Sequence, residues 1–260
     1  MDDFLGFPAN SAIIVTGAAS GIGEATAKLA ARLGLAVSCW DLSAEGAVAT
    51  AEAINKAGGR AIPFGLDVTD REAAQAAMAE SYEAFGPIRS LAAVAGPPSF
   101  RPGDLNESVA ATIDCARIPT EAWLKQEPEA LRSAVYLSSV QGPRYGAGVQ
   151  WYTVAKSAID GYMRSIAAMR PGGLRANAVL PDWIQTPRTA AFIEKTGGAE
   201  WPANPMGRVG LPGDIANTIL FLLSPAAHYV NGQSIIVDGG SQLRSLAWMR
   251  MAEASGSAAN

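Results

Sequence analysis

The sequence predicts an α/β chain: a single domain built on a doubly wound parallel sheet of about seven strands. Three observations carry this expectation. Short apolar segments alternate with Ala- and Leu-rich segments of helical period along the chain. The first apolar segment runs directly into a glycine-rich turn that opens a helix. The chain has 260 residues, 49% hydrophobic and 17% charged, enough to bury one large core.

Ser11 to Thr16 is the first strand. Gly17-Ala18-Ala19-Ser20-Gly21-Ile22-Gly23 follows, then a helix from Glu24 to Leu33. Glycines let a backbone pass close to a pyrophosphate, and the N–H groups at a helix start favour anions. Leu35 to Trp40 is the second strand, with Asp41 at its end. A carboxylate there can accept hydrogen bonds from both ribose hydroxyls of NAD and would repel the extra phosphate of NADP. No Arg or Lys lies in the glycine turn or just after Asp41 to receive that phosphate. Asp41 can also cap the helix beginning near Ser43.

Ala44 to Ala57 is a helix stopped by Gly58-Gly59, and Arg60 to Leu66 a third strand leading to Asp67-Val68. A helix from about Asp70 to Phe85 ends at Gly86-Pro87. Ile88 to Ala95 is the fourth strand, closed by Gly96-Pro97-Pro98. Asp104 to Gln126 reads as a long helix, Ala134 to Leu137 as strand five, and Trp151 to about Arg170 as a helix broken by Pro171-Gly172-Gly173. Leu174 to Leu180 is strand six. Pro187 to Pro212 has weak periodicity, Asp214 to Leu223 is a helix, and Gln233 to Val237 is the last strand. The domain thus spans residues 1–243, and 244–260 form a tail of small polar residues with Trp248 and Met251 near its start.

The chemistry is expected between Val135 and Lys156. Ser139 stands at the end of strand five, and Tyr152 and Lys156 are four residues apart on the following helix, hence on one face. A phenol beside an ammonium is a proton-transfer device, because the cation favours the phenolate. Ser139 could hydrogen-bond the same substrate oxygen.

Composition excludes several classes. Net charge is −4 and no basic run occurs, so nothing points to nucleic acid or to an anionic membrane. Two cysteines in apolar contexts, Cys39 and Cys115, read as reduced thiols of a cytoplasmic protein. The single histidine, His228, cannot build a zinc site or a Ser-His-Asp triad, and no metal site is expected. The N-terminus carries Asp2 and Asp3 rather than the basic region of a secretion signal, and no stretch is long enough to span a membrane.

Taken together, these motifs resemble the short-chain dehydrogenase/reductase (SDR) family, from about Ala12 to Gly240. TGAASGIG at Thr16 to Gly23 matches the family's glycine turn, and Asp67-Val68 its adenine contact. Ser139, Tyr152 and Lys156 fall at its catalytic spacing. NAVLP at Asn177 to Pro181, with Ile184 and Thr186 beyond, matches the segment that holds the nicotinamide amide. The resemblance implies a Rossmann-type sheet, a nicotinamide cofactor also contacted by Ser20, Ile22, Ala95 and Gly96, and a homotetramer or at least a homodimer. It implies that Tyr152 exchanges the hydroxyl proton, Ser139 orients the oxygen, and Lys156 assists the tyrosine and holds the nicotinamide ribose.

There are departures. The family's NNAG after strand four is Ala93-Val94-Ala95-Gly96. Its helix asparagine, which holds a water for the lysine, aligns with Asp114, making Asp114 a candidate relay residue whose charge would displace the pH–rate profile to the alkaline side; the competing reading is that Asp114 faces solvent or pairs with Arg117 one helical step away. The glycine after Pro181 is Asp182, and the stretch between Gly96 and Asp114 is short. Val140, Tyr145, Trp151 and Trp183 are expected to touch substrate, with Pro97, Phe100, Phe192 and Trp201 nearby. The expected activity is NAD-dependent oxidation of a small, largely apolar secondary alcohol, cyclic and aromatic ones included, or reduction of the ketone. The alternatives are reduction of an acyl thioester or a sugar and, further off, nucleotide binding without catalysis. No basic patch is visible near the mouth of the site, which disfavours a phosphorylated or CoA-linked substrate.

Overall fold

The computed structural model describes residues 4–97, 105–126, 131–143, 150–169, 173–196, 198 and 204–243. Phe100, Tyr145, Trp201, Trp248, Met251 and the rest of the tail lie outside the described residues. The elements are β1 (Ala12–Thr16), α1 (Gly21–Arg32), β2 (Ala36–Asp41), α2 (Ala44–Lys56), β3 (Arg60–Gly65), α3 (Arg71–Phe85), β4 (Ile88–Ala93), α4 (Leu105–Leu124), β5 (Arg132–Leu137), α5 (Gln150–Ala168), β6 (Leu174–Pro181), α6 (Ala190–Lys195), α7 (Pro212–Leu223) and β7 (Ser234–Val237).

The seven strands form one sheet in the order β3-β2-β1-β4-β5-β6-β7, and every pairing is parallel. Parallel strands covered on both faces are buried along their length, and every residue of β1 and β6 is buried, Arg175 and Asn177 of β6 included. One face carries Ile14, Trp40, Leu91, Tyr136 and Leu180 against α3, α4 and α5. The other carries Ile13, Val15, Val37, Val135 and Val179 against α1, α2 and α7. The strand order reverses direction between β1 and β4. That is the switch point where the loops at the carboxyl ends diverge and leave a crevice.

Several boundaries differ from the sequence reading. β5 begins two residues before the apolar run because Arg132 and Ser133 pair with Leu174 and Arg175. β4 ends at Ala93 because the Val94 and Ala95 N–H groups donate to Thr16 Oγ1, each at 3.1 Å, and leave the ladder. Asp70 is the N-cap of α3, not its first residue, accepting from Glu72 N and Ala73 N. The segment after Pro187 contains the short helix α6. α4 continues through Pro119. Among the described residues no helix is long and apolar enough to cross a membrane.

Candidate active site

The loops at the carboxyl ends of the strands enclose a cleft of about 730 Å³. Its floor on the β1 side is the glycine turn. Gly17 adopts φ 72°, and a Cβ there would stand 3.1 Å from the backbone of Ala95. A Cβ on Gly23 would stand 1.9 Å from the Gly17 carbonyl oxygen. Only glycines let the turn close this far. Ser20 is the N-cap of α1 but makes no side-chain cap bond. The first N–H groups of the helix, at Gly21, Ile22 and Gly23, are thereby left for a ligand. Ser20, Gly21, Ile22 and Gly23 all line the cleft.

Asp41 lines the adjoining part. Its Oδ2 accepts from Ala19 N and its Oδ1 from Ser43 N, both at 2.9 Å. The carboxylate therefore braces the glycine turn against the start of α2, and each oxygen retains a second acceptor lone pair for a ribose hydroxyl. Asp67 is held by Thr69, and Asp67 and Val68 line the next wall together with Leu66. Ala95 and Gly96 line the β4 side, fixed by Thr16. These features fit a dinucleotide: N–H donors for a pyrophosphate, a braced carboxylate for a ribose, and an apolar slot at Val68 for a base.

The reacting end lies where β5 meets α5. Lys156 Nζ donates to the Leu137 carbonyl at 2.8 Å and lies 5.7 Å from the centroid of the Tyr152 ring. Ser138 Oγ donates to the Lys156 carbonyl at 2.9 Å, pinning α5 to the strand end. Gly142 N donates to the Ser139 carbonyl at 3.0 Å, and a Cβ on Gly142 would come within 2.9 Å of the Lys156 backbone. This close approach brings Ser139, Tyr152 and Lys156 to one wall. Trp151, edge-on to Tyr152, lines the cleft as expected, and so does Pro97. Pro181, Ile184 and Thr186 form the far side. The Thr186 hydroxyl is hydrogen-bonded to Thr189 at 3.0 Å, and Ile184 bridges to Gly210.

Three candidates are placed elsewhere. Asp114 accepts two hydrogen bonds from Arg117, at 3.0 and 2.8 Å, and is not among the residues lining the cleft. The α4 residues that face it are Ala111, Thr112 and Cys115. Burial pushes the Cys115 thiol up to about 11. Asp114 is thus held by Arg117 and not placed at the cleft, which gives a relay role there no support. Asp114→Asn is expected to leave the pH–rate profile in place and to cost under about 1 kcal/mol, the worth of a half-exposed ion pair. A displaced profile would restore Asp114 to the relay, and thermal melts give the stability term. Val140 is buried in the core, its N–H donates to the Pro181 carbonyl, and it is not among the described residues lining the cleft. Trp183 stacks on Phe192 at 4.2 Å, and neither is among the described residues lining the cleft.

The sequence reading missed Asp182 and Arg188 as cleft residues. Burial raises the Asp182 carboxyl above the usual range, against a hydrogen bond with Ser241 that lowers it. In the sequence Asp182 stands out only as a departure from glycine. Arg188 had no local motif to mark it.

A family model described as enoyl-(acyl carrier protein) reductase matches residues 17–242. The short-chain reductase protein NovJ of Streptomyces niveus is 35% identical, over 88% of this chain and 93% of that protein. The chain belongs to the short-chain dehydrogenase/reductase family. Its SDR relatives include the cis-4-hydroxycyclohexanecarboxylate dehydrogenase of Sinomonas cyclohexanicum, 36% identical over 87% of this chain and 94% of the other. They also include the crystal structure of a protein from Beutenbergia cavernae described as a putative NAD(P)-dependent gluconate 5-dehydrogenase with NADP bound at low occupancy. It matches with TM-score 0.81 and 31% identity, covering 91% of this chain and 98% of that one. This SDR chain is accordingly an oxidoreductase that uses a nicotinamide cofactor.

Proposed function

We propose that this SDR protein is an NAD-dependent dehydrogenase of a small, largely apolar secondary alcohol, cyclic or aromatic, or the reductase of the matching ketone. The observation that carries the reading is Lys156, held between the Leu137 carbonyl and the Tyr152 ring on the wall that also bears Ser139. When bound, the cofactor supplies or accepts the hydride. The protein's part is to hold and move the proton. Ser139 Oγ orients the substrate oxygen by hydrogen bonding. Tyr152 Oη takes the hydroxyl proton in oxidation and returns it in reduction, with the Lys156 ammonium 5.7 Å from its ring centroid. Trp151 and Pro97 give the substrate side an apolar wall. The cyclic alcohol handled by the Sinomonas relative supports this substrate class. A second reading, reduction of an acyl thioester, is supported by the description of the matching family model.

The preference for NAD rests on Asp41. A 2′-phosphate at this carboxylate would meet a like charge, and the discrimination expected is roughly a hundredfold in kcat/KM. Asp41→Ala removes the repulsion but also the brace between Ala19 and Ser43. Both cofactors should therefore bind the variant more weakly while their ratio collapses. Equal kcat/KM for NAD and NADP in the unaltered enzyme would overturn the assignment.

We also read the chain as a homotetramer or homodimer. Ile118, Ile159, Met163 and Ile166 face the chain's own core, but Val154 on α5 and Met169 just after it remain 42% and 57% exposed. Light scattering at micromolar concentration should give a mass of two or more 26.9 kDa chains, and a monomer alone would refute it.

A further inference from the structure

We propose that Arg188 is a cofactor-binding residue, a guanidinium carried across the mouth of the cleft to meet the pyrophosphate of the bound dinucleotide. The proposal rests on the dinucleotide reading above. Three contacts fix where this side chain lies. Thr186 and Pro187, just before it, sit against the glycine turn: a Cβ on Gly21 would be 3.1 Å from Thr186 Cγ2 and 3.9 Å from Pro187 Cδ. Arg188 Nη2 donates to the Pro97 carbonyl at 3.0 Å. Its Nη1 is 3.8 Å from where a Cβ on Gly96 would stand. Residues 186–188 therefore reach from the start of α1, at Gly21, to the segment after β4, where the guanidinium sits at Gly96 and Pro97. Arg188 lines the cleft, as does Cys115 on the α4 wall.

The balance of charge gives this position its meaning. The described cleft residues include the carboxylates of Asp41, Asp67 and Asp182 but only two cations, Lys156 and Arg188. Lys156 is engaged at the reacting end by Leu137 and Tyr152. The glycine turn offers N–H dipoles and no cation. A dinucleotide brings two further negative charges to the pyrophosphate, and Arg188 is the group placed to offset them. A guanidinium suits the task because its planar fork can hold a backbone carbonyl and phosphate oxygens at once. Residues 186–188 would then fasten over the cofactor through charge as well as through packing.

The experiment is fluorescence titration of NADH into the enzyme and its Arg188→Gln and Arg188→Lys variants, across a series of salt concentrations. Arg188 is exposed, so the variants should fold, and a matching melting temperature checks it. Arg188→Gln should weaken NADH about tenfold at low salt, with the gap closing as salt rises, because the charge is partly screened. Arg188→Lys should retain most of the affinity. Competition with ADP-ribose, which keeps the pyrophosphate, should show the same loss, whereas adenosine should bind both proteins equally. NADH affinity unchanged by Arg188→Gln would overturn the proposal, and a raised KM for the alcohol alone would assign Arg188 to the substrate instead. A loss independent of salt and equal for adenosine would reduce Arg188 to a loop anchor. Failure of the unaltered protein to bind NADH would overturn the dinucleotide reading itself, a result distinct from any difference between variants.

Discussion

Tyr152→Phe is expected to lower turnover by about a thousandfold or more while leaving NADH affinity nearly unchanged. The ring remains, so its edge-on contact with Trp151 and its place beside Lys156 are kept. Only the phenolic oxygen is lost, and with it the group that exchanges the substrate proton. The cofactor side, from the glycine turn through Asp41, is not touched by the change. Steady-state rates and NADH titration on the same preparation separate the two effects. A variant keeping a tenth of the original rate would remove Tyr152 from the proton-transfer step.

Gly23→Ala is expected to weaken NADH binding by about a hundredfold. The added Cβ would lie 1.9 Å from the Gly17 carbonyl oxygen, a distance no packing adjustment of a side chain can relieve. Gly17 cannot retreat freely, since its own Cα faces the Ala95 backbone with room for no more than hydrogens. The turn must open by the order of an ångström, and misplacement on that scale costs about two powers of ten where geometry is set in advance. Gly213→Ala is the control: a Cβ there meets nothing within 4 Å, and binding should be unchanged. NADH affinity of Gly23→Ala within threefold of the original would show that the turn does not cradle the cofactor.

Much of the fold is legible in the sequence because the central strands are buried along their length and carry short apolar runs, such as Ile13 to Val15 and Ala134 to Leu137, between helical periods. The glycine turn and the Tyr152–Lys156 pair are legible for a related reason: each is a short local pattern whose geometry follows from turn or helix spacing. What could not be read depends on long-range packing. The end of β4 is set by Thr16, 78 residues earlier in the chain. Asp114 and Cys115 are neighbours on α4, and the helix register that turns one to Arg117 and the other to the cleft was not fixed by anything across the short preceding loop. Val140 looked available because it follows Ser139, yet the chain turns back toward Pro181. Arg188 reaches Pro97 from a segment 91 positions away, where no local pattern marks it.

The central claim is tested most directly by incubating the enzyme with NAD and a panel of small secondary alcohols, cyclohexanols and aryl carbinols among them, and following absorbance of the reduced cofactor. The account predicts NAD reduction with at least one cyclic or aromatic alcohol, abolished in Tyr152→Phe. NADH binding without reduction of NAD by any alcohol, together with NADH-dependent reduction of an acyl thioester, would contradict it.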